Sequence, residues 1–169
     1  MLAVAVLATT ACGDGPGDLG AVATTVAPSS TTAVSGPAVV DSGTSQAGAW
    51  QLVAERGERG LLCSRLRVRS EDAGRVCNEA SEQDFNGNDT LRYSGTPGEP
   101  FVIGVGLPAV AKVRAELVGG VVAERATVAA PFTTAARFLA LPLPADARIR
   151  YLVALDSAGR ELTRIPINP

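Results

Sequence analysis

Two stretches of this 169-residue chain gather side chains that could do chemistry. The first is Asp84-Phe85-Asn86-Gly87-Asn88-Asp89, which sets the oxygen donors of Asp84, Asn86, Asn88 and Asp89 around one glycine. A tight loop of that kind can wrap Ca²⁺, a hard cation that takes roughly six to eight oxygens. The glycine stands fourth instead of sixth and no Glu closes the loop at the twelfth place, so the stretch departs from the EF-hand rule. Asn, Asp and Gly also dominate turns, because they tolerate left-handed backbone and bond to it locally. The second stretch alternates Arg65, Arg67 and Arg69 with apolar neighbours. Three guanidiniums on one strand face can grip a polyanion such as a phosphate-bearing wall polymer or lipid headgroups. Glu55, Glu58, Glu71 and Asp72 are close enough in sequence to neutralise them, and a solvated face is the commoner meaning of such alternation.

Beyond those two places the residues for catalysis are sparse. The chain has no histidine, which removes the commonest general base, the usual metal ligand and every Ser-His or Cys-His nucleophile system. No G-x-S-x-G, S-x-x-K or H-E-x-x-H motif occurs, and no glycine-rich phosphate loop. A glycosidase needs two carboxylates about 5–10 Å apart beside a groove, and no spacing here singles out a pair. The seven aromatics, Trp50, Phe85, Tyr93, Phe101, Phe132, Phe138 and Tyr151, are expected mostly in the core. Formal charge is −2, with all 15 basic residues beyond position 50, which gives no electrostatic footprint for nucleic acid. No cofactor is implied.

The N-terminus assigns a location. Residues 2–8 (LAVAVLA) are a short apolar run, too brief to span a bilayer and of the size of a signal-peptide core. Thr9-Thr10-Ala11-Cys12-Gly13 follows and resembles the lipobox of bacterial lipoproteins in the Thr-Ala-Cys-Gly form of actinobacterial proteins. The resemblance implies a diacylglyceryl group on the Cys12 thiol, cleavage just before it, and anchorage to the outer face of the cell membrane. Thr9 stands where the lipobox usually carries Leu, and no Lys or Arg precedes Arg56. The missing basic leader predicts a reading frame that starts upstream of Met1. Assigning Cys12 to lipid leaves Cys63 and Cys77, whose disulfide closes a loop of about 15 residues worth roughly 3 kcal/mol. Two thiolates without imidazole make a poor metal site, and the spacing is not the C-x-x-C of redox chemistry. A structural disulfide fits an exported protein.

Residues 13–47 hold 19 Gly, Pro, Ser or Thr among 35, with no aromatic, Ile or basic residue. Such a segment buries too little apolar surface to offset its ordering entropy, and it is expected to be a disordered tether. The folded domain is then residues 48–169, long enough for one core. Within it the apolar period is two. Leu62, Ser64, Leu66 and Val68 alternate with the arginines, and Val113, Ala115 and Leu117 alternate with Lys112, Arg114 and Glu116. Gly119-Gly120 predicts a hairpin turn into a strand over 121–128. The run 149–155 leads through Asp156-Ser157-Ala158-Gly159 into a last strand over 160–165. FVIGVG at 101–106 suits a strand buried on both faces, and 136–141 predicts another, stopped by Pro142. With strands at 50–54 and 91–94 the count is seven to nine, while residues 71–88 are expected to be a long loop.

The pattern is that of an all-β antiparallel sandwich. It is similar to the immunoglobulin-like domains of uncharacterised secreted actinobacterial proteins, most closely over 101–167. The similarity rests on the G-x-(V/L)-P-x-V-A-x-V run at 106–113 and the L-D-S-A-G-R turn at 155–160. It implies architecture and no mechanism. Together these features predict a lipid-anchored extracytoplasmic binding module, not an enzyme, with a membrane tie through its lipid and an envelope protein or wall polymer as partner. Two alternatives are a wall hydrolase using carboxylates and an accessory subunit of an envelope complex. The last would carry an exposed apolar patch.

Overall fold

The computed structural model describes residues 36–78, 90–95 and 100–167. The predicted signal segment with Cys12, the tether over 13–35 and the oxygen-donor cluster Asp84, Asn86, Asn88 and Asp89 lie outside the described residues. The described chain is all-β, with twelve strands in three antiparallel sheets of four.

The first sheet is a meander of consecutive strands, β1 (Ala38–Ser45), β2 (Gly48–Arg56), β3 (Leu62–Val68) and β4 (Glu71–Asn78). The second has β5 (Leu91–Gly95), β6 (Phe101–Gly106), β10 (Thr133–Pro142) and β9 (Val128–Ala130) side by side in that order. The third has β12 (Glu161–Pro166), β11 (Ile149–Leu155), β7 (Lys112–Leu117) and β8 (Val122–Ala126).

Successive side chains of a strand point to opposite faces, and in the second sheet both faces are covered. Phe101, Ile103 and Val105 of β6 and Ala136, Phe138 and Ala140 of β10 pack with Trp50, Leu52, Leu62 and Leu66 of the first sheet. The intervening Val102, Leu139 and Leu141 pack with Val113, Ala115, Leu152 and Ala154 of the third. The sandwich therefore has three layers, with the second sheet in the middle. This explains why all of β6 is buried, as its unbroken apolar run predicts. Trp50, Phe101 and Phe138 are core residues, and the indole meets the Phe101 ring edge-on at 5.7 Å. Arg125 of β8 spans from the third layer to the first. It donates to Asp41 of β1 at 2.8–3.0 Å, and its guanidinium lies 4.8 Å from the Trp50 ring centroid.

Three expectations need correction. The domain begins before residue 48, because residues 38–45 form β1 instead of continuing the tether. Its backbone pairs with β2 along a register running from Ala38↔Ala54 to Ser45↔Gly48, so ladder hydrogen bonds hold a segment whose side chains carry little apolar signal. Residues 71–78 form β4 and not a loop, and this strand is tied to β3 by the Cys63–Cys77 disulfide between directly opposed residues. The single strand expected over 121–128 divides at Thr127 into β8 and β9, which belong to different sheets. The buried Thr127 hydroxyl donates to the Val110 carbonyl. It also accepts from Arg137 Nε at 3.1 Å, so the polar groups freed at the crossover are satisfied. These extra elements raise the strand number from the expected seven to nine to twelve.

The β11–β12 turn forms where the sequence places it. Asp156 Oδ1 accepts the backbone N–H groups of Ala158 and Arg160, both at 2.9 Å, while Oδ2 accepts Arg160 Nε at 2.7 Å. The Arg160 backbone bond above all, with the Arg160 side chain and Ala158 N–H adding to it, holds the Asp156 carboxyl below the usual carboxylate range. A depressed folded-state pKa means stability that is present above the unfolded value near 3.9 and is lost as pH falls through the folded value. Asp156→Asn should therefore show a shallower loss of Tm than the parent below about pH 4, with little change in slope at neutral pH. Parallel acid slopes for the two proteins would contradict this.

Candidate functional site

On the outer face of the first sheet, Arg65 and Arg67 of β3 stand in line as the alternation predicts. Arg69 does not continue the line. It and Ser70 form the two-residue turn into β4, with φ of 52° and 72°. That turn needs left-handed backbone at both central positions, and for these non-glycine residues it costs roughly 1–2 kcal/mol each. The stripe is also largely neutralised. Glu55, buried on β2, accepts Arg65 at 2.9 Å and Arg75 of β4 at 2.8 Å on the same oxygen. Asp72 accepts Arg65 at 3.4 Å and Arg67 at 3.2 Å. The face therefore carries a carboxylate–guanidinium lattice, with Glu55 and Asp72 as the neutralising acids.

Where the stripe ends, Ser42, Thr44, Gln51, Arg67, Arg69 and Ser70 line a shallow groove of about 350 Å³. Hydroxyl, amide and guanidinium groups suit a hydroxylated or anionic ligand, but Arg67 is already bonded to Asp72. The outer face of the third sheet is a second charge lattice. Arg114 donates to Glu124 at 2.9 Å, and Arg164 donates to Glu116 at 2.7 and 3.1 Å and to Glu161 at 3.0 and 3.1 Å. The Arg114 hydrogen bond lowers the Glu124 pKa, and the Arg164 bond lowers that of Glu161. Val153 is buried on this face, in register between Arg114 and Arg164.

A larger concavity lies at the end of the third sheet where β7 turns into β8. Its volume is about 540 Å³, and its walls include Val118, Val121, Val122, Ile149, Arg150 and Ile167. Gly120 N–H donates to the Leu117 carbonyl at 3.1 Å and Leu117 N–H to the Val121 carbonyl at 2.8 Å, closing the turn. Gly119 and Gly120 have φ of 98° and 83°, as the Gly-Gly pair requires. The surprise is exposure. Val118, Val121 and Val122 are 59, 57 and 53% accessible. They make up most of the large exposed apolar side chains among the described residues. Sequence reasoning identified this hairpin turn but not the cleft. Its only sequence signal is the apolar run flanking Gly-Gly, which reads equally as core.

Among the described residues, no group of three or more His, Cys, Asp or Glu side chains is placed to hold a metal ion. Among them also, no helix is long and apolar enough to cross a membrane. Comparison of the chain with protein-family models, with curated proteins and with solved structures returns no match.

Proposed function

We propose that this chain is a lipid-anchored, non-catalytic binding module on the outer face of the cell membrane. The observation that carries the binding role is the β7–β8 tip, where three half-exposed valines border a cleft of about 540 Å³. Apolar side chains gathered at one place on a small domain are a usual mark of a contact surface. Location is supported by the Thr-Ala-Cys-Gly sequence around Cys12 and by the Cys63–Cys77 disulfide, a bond that persists in oxidising compartments. An accessory subunit of an envelope complex, the reading for which an exposed apolar patch is expected, is a second reading that the same tip favours. It differs in requiring a stoichiometric protein partner that survives detergent extraction.

Cells fed an alkyne-bearing palmitate should label the parent protein, and Cys12→Ala should abolish the label. An unlabelled parent, or label that survives Cys12→Ala, would refute the anchoring.

A further inference from the structure

We propose that the β7–β8 tip is a membrane-contact loop that seats on an anionic lipid surface, Val118, Val121 and Val122 entering the headgroup region while Arg148 and Arg150 meet lipid phosphates. This names the partner of the site proposed above and rests on that reading for its setting.

Three observations favour a bilayer over a protein groove. First, the apolar side chains crown a narrow hairpin, and the residues at its apex are glycines. A hairpin turn with no side-chain bulk at its end can enter an interface without opening a large hole in it. Second, the backbone there has partners of its own. Besides the two bonds that close the turn, Val118 N–H donates to the Arg148 carbonyl at 2.8 Å and Ile167 N–H to the Arg150 carbonyl at 3.0 Å. Each of these donors can leave water without an unsatisfied hydrogen bond, the main cost of bringing backbone into lipid.

Third, the charge beside the tip has the right sign. Arg148 and Arg150 are exposed and, among the described residues, neither has a carboxylate partner; the Arg150 guanidinium lies 5.3 Å from the Tyr151 ring centroid. Glu116, the acid on the cleft wall, is neutralised by its two bonds from Arg164. Asp146, in the turn before Arg148, pairs with neither arginine. Long guanidinium stems let such groups reach phosphates while the apolar tip sits deeper.

The test uses the chain from position 12 onward, the mature form implied by cleavage before Cys12, with Cys12→Ser so that neither acyl group nor signal run is present, and with Cys63–Cys77 intact. It should sediment with vesicles of phosphatidylcholine and phosphatidylglycerol in equal parts, more than with phosphatidylcholine alone and less as salt rises. Arg148→Gln with Arg150→Gln should lower partitioning roughly 25-fold, about fivefold for each charge removed. Val118→Asn, Val121→Asn and Val122→Asn together should lower it at least about tenfold. Val39→Asn, which changes an exposed apolar residue of the first sheet without altering charge, should leave it unchanged.

An environment-sensitive dye on Val121→Cys should shift to the blue on anionic vesicles. The same dye on Ser157→Cys, at the opposite end of the third sheet, should not. The dye also guards against tip variants that fold poorly, because it reads depth in a chain with an intact tip charge. Absent vesicle binding, tip variants that bind like the parent, or a response from position 157 instead of 121 would overturn the proposal. A photocrosslinker at position 121 that captures a specific envelope protein, without vesicle binding, would overturn the lipid assignment and leave the binding-module reading standing. Failure of palmitate labelling would refute the anchor alone.

Discussion

Phe138→Ala should lower the unfolding free energy by about 3–5 kcal/mol, measured as a shift of the urea midpoint at unchanged m-value. Phe138 is fully buried on β10, pairs in register with Val105 of β6, and meets the Phe132 ring edge-on at 6.3 Å. It fills the layer between the first and second sheets. The adjacent residue provides the sharper measurement. Leu139 is also buried, but it faces the layer between the second and third sheets. Leu139→Ala should cost about 2–5 kcal/mol. Because the two side chains fall in separate clusters, the double variant should lose close to the sum of the two single losses. In a two-layer sandwich one of these neighbours would face solvent, and its truncation would cost less than about 0.5 kcal/mol. That small value for either residue would remove a face from the middle sheet.

Removing the disulfide with Cys63→Ser and Cys77→Ser should cost about 3 kcal/mol, the loop-closure entropy returned to the unfolded chain. The loss should appear first in β4. That strand is an edge of its sheet, and among its residues only Asn78 is buried. It holds on by ladder hydrogen bonds, by the Arg75–Glu55 pair and by the bridge opposite Cys63. Amide exchange should therefore speed up over residues 71–77 before it does in β6. Uniform exchange, or an unchanged urea midpoint, would show that the bridge contributes little. Thiol labelling of the folded, unreduced protein should find neither Cys63 nor Cys77.

The strands that were legible share one property: they face a core on one side or on both. The alternation in β3 and β7 and the continuous run in β6 are imprints of burial, so periodicity finds them. The elements that were not legible, β1, β4 and β9, send too few side chains to the core for a period to show (Val40, Ala73, Val76, Val128 and Ala130), and they depend also on backbone pairing with a neighbour. Ladder hydrogen bonds require no side-chain pattern, so Asp41-Ser42-Gly43-Thr44 resembles linker until Gln51 and Leu52 are placed beside it. Arg69 misled for a related reason. Alternation carried past Val68, but the register pairs Val68 with Glu71, and the turn takes Arg69 out of the face.

The sequence by itself determined the all-β class, the Cys63–Cys77 pairing, the Asp156 turn and the doubly buried middle strand. Each of these follows from local chemistry or from elimination among three cysteines. Tertiary structure decided the third layer, the pairing of Asp41 with Arg125 across 84 positions and the exposure of the valines beside Gly119 and Gly120. An apolar residue reports its preference for burial, while whether anything covers it depends on which distant strands arrive. At the β7–β8 tip none of the described strands does.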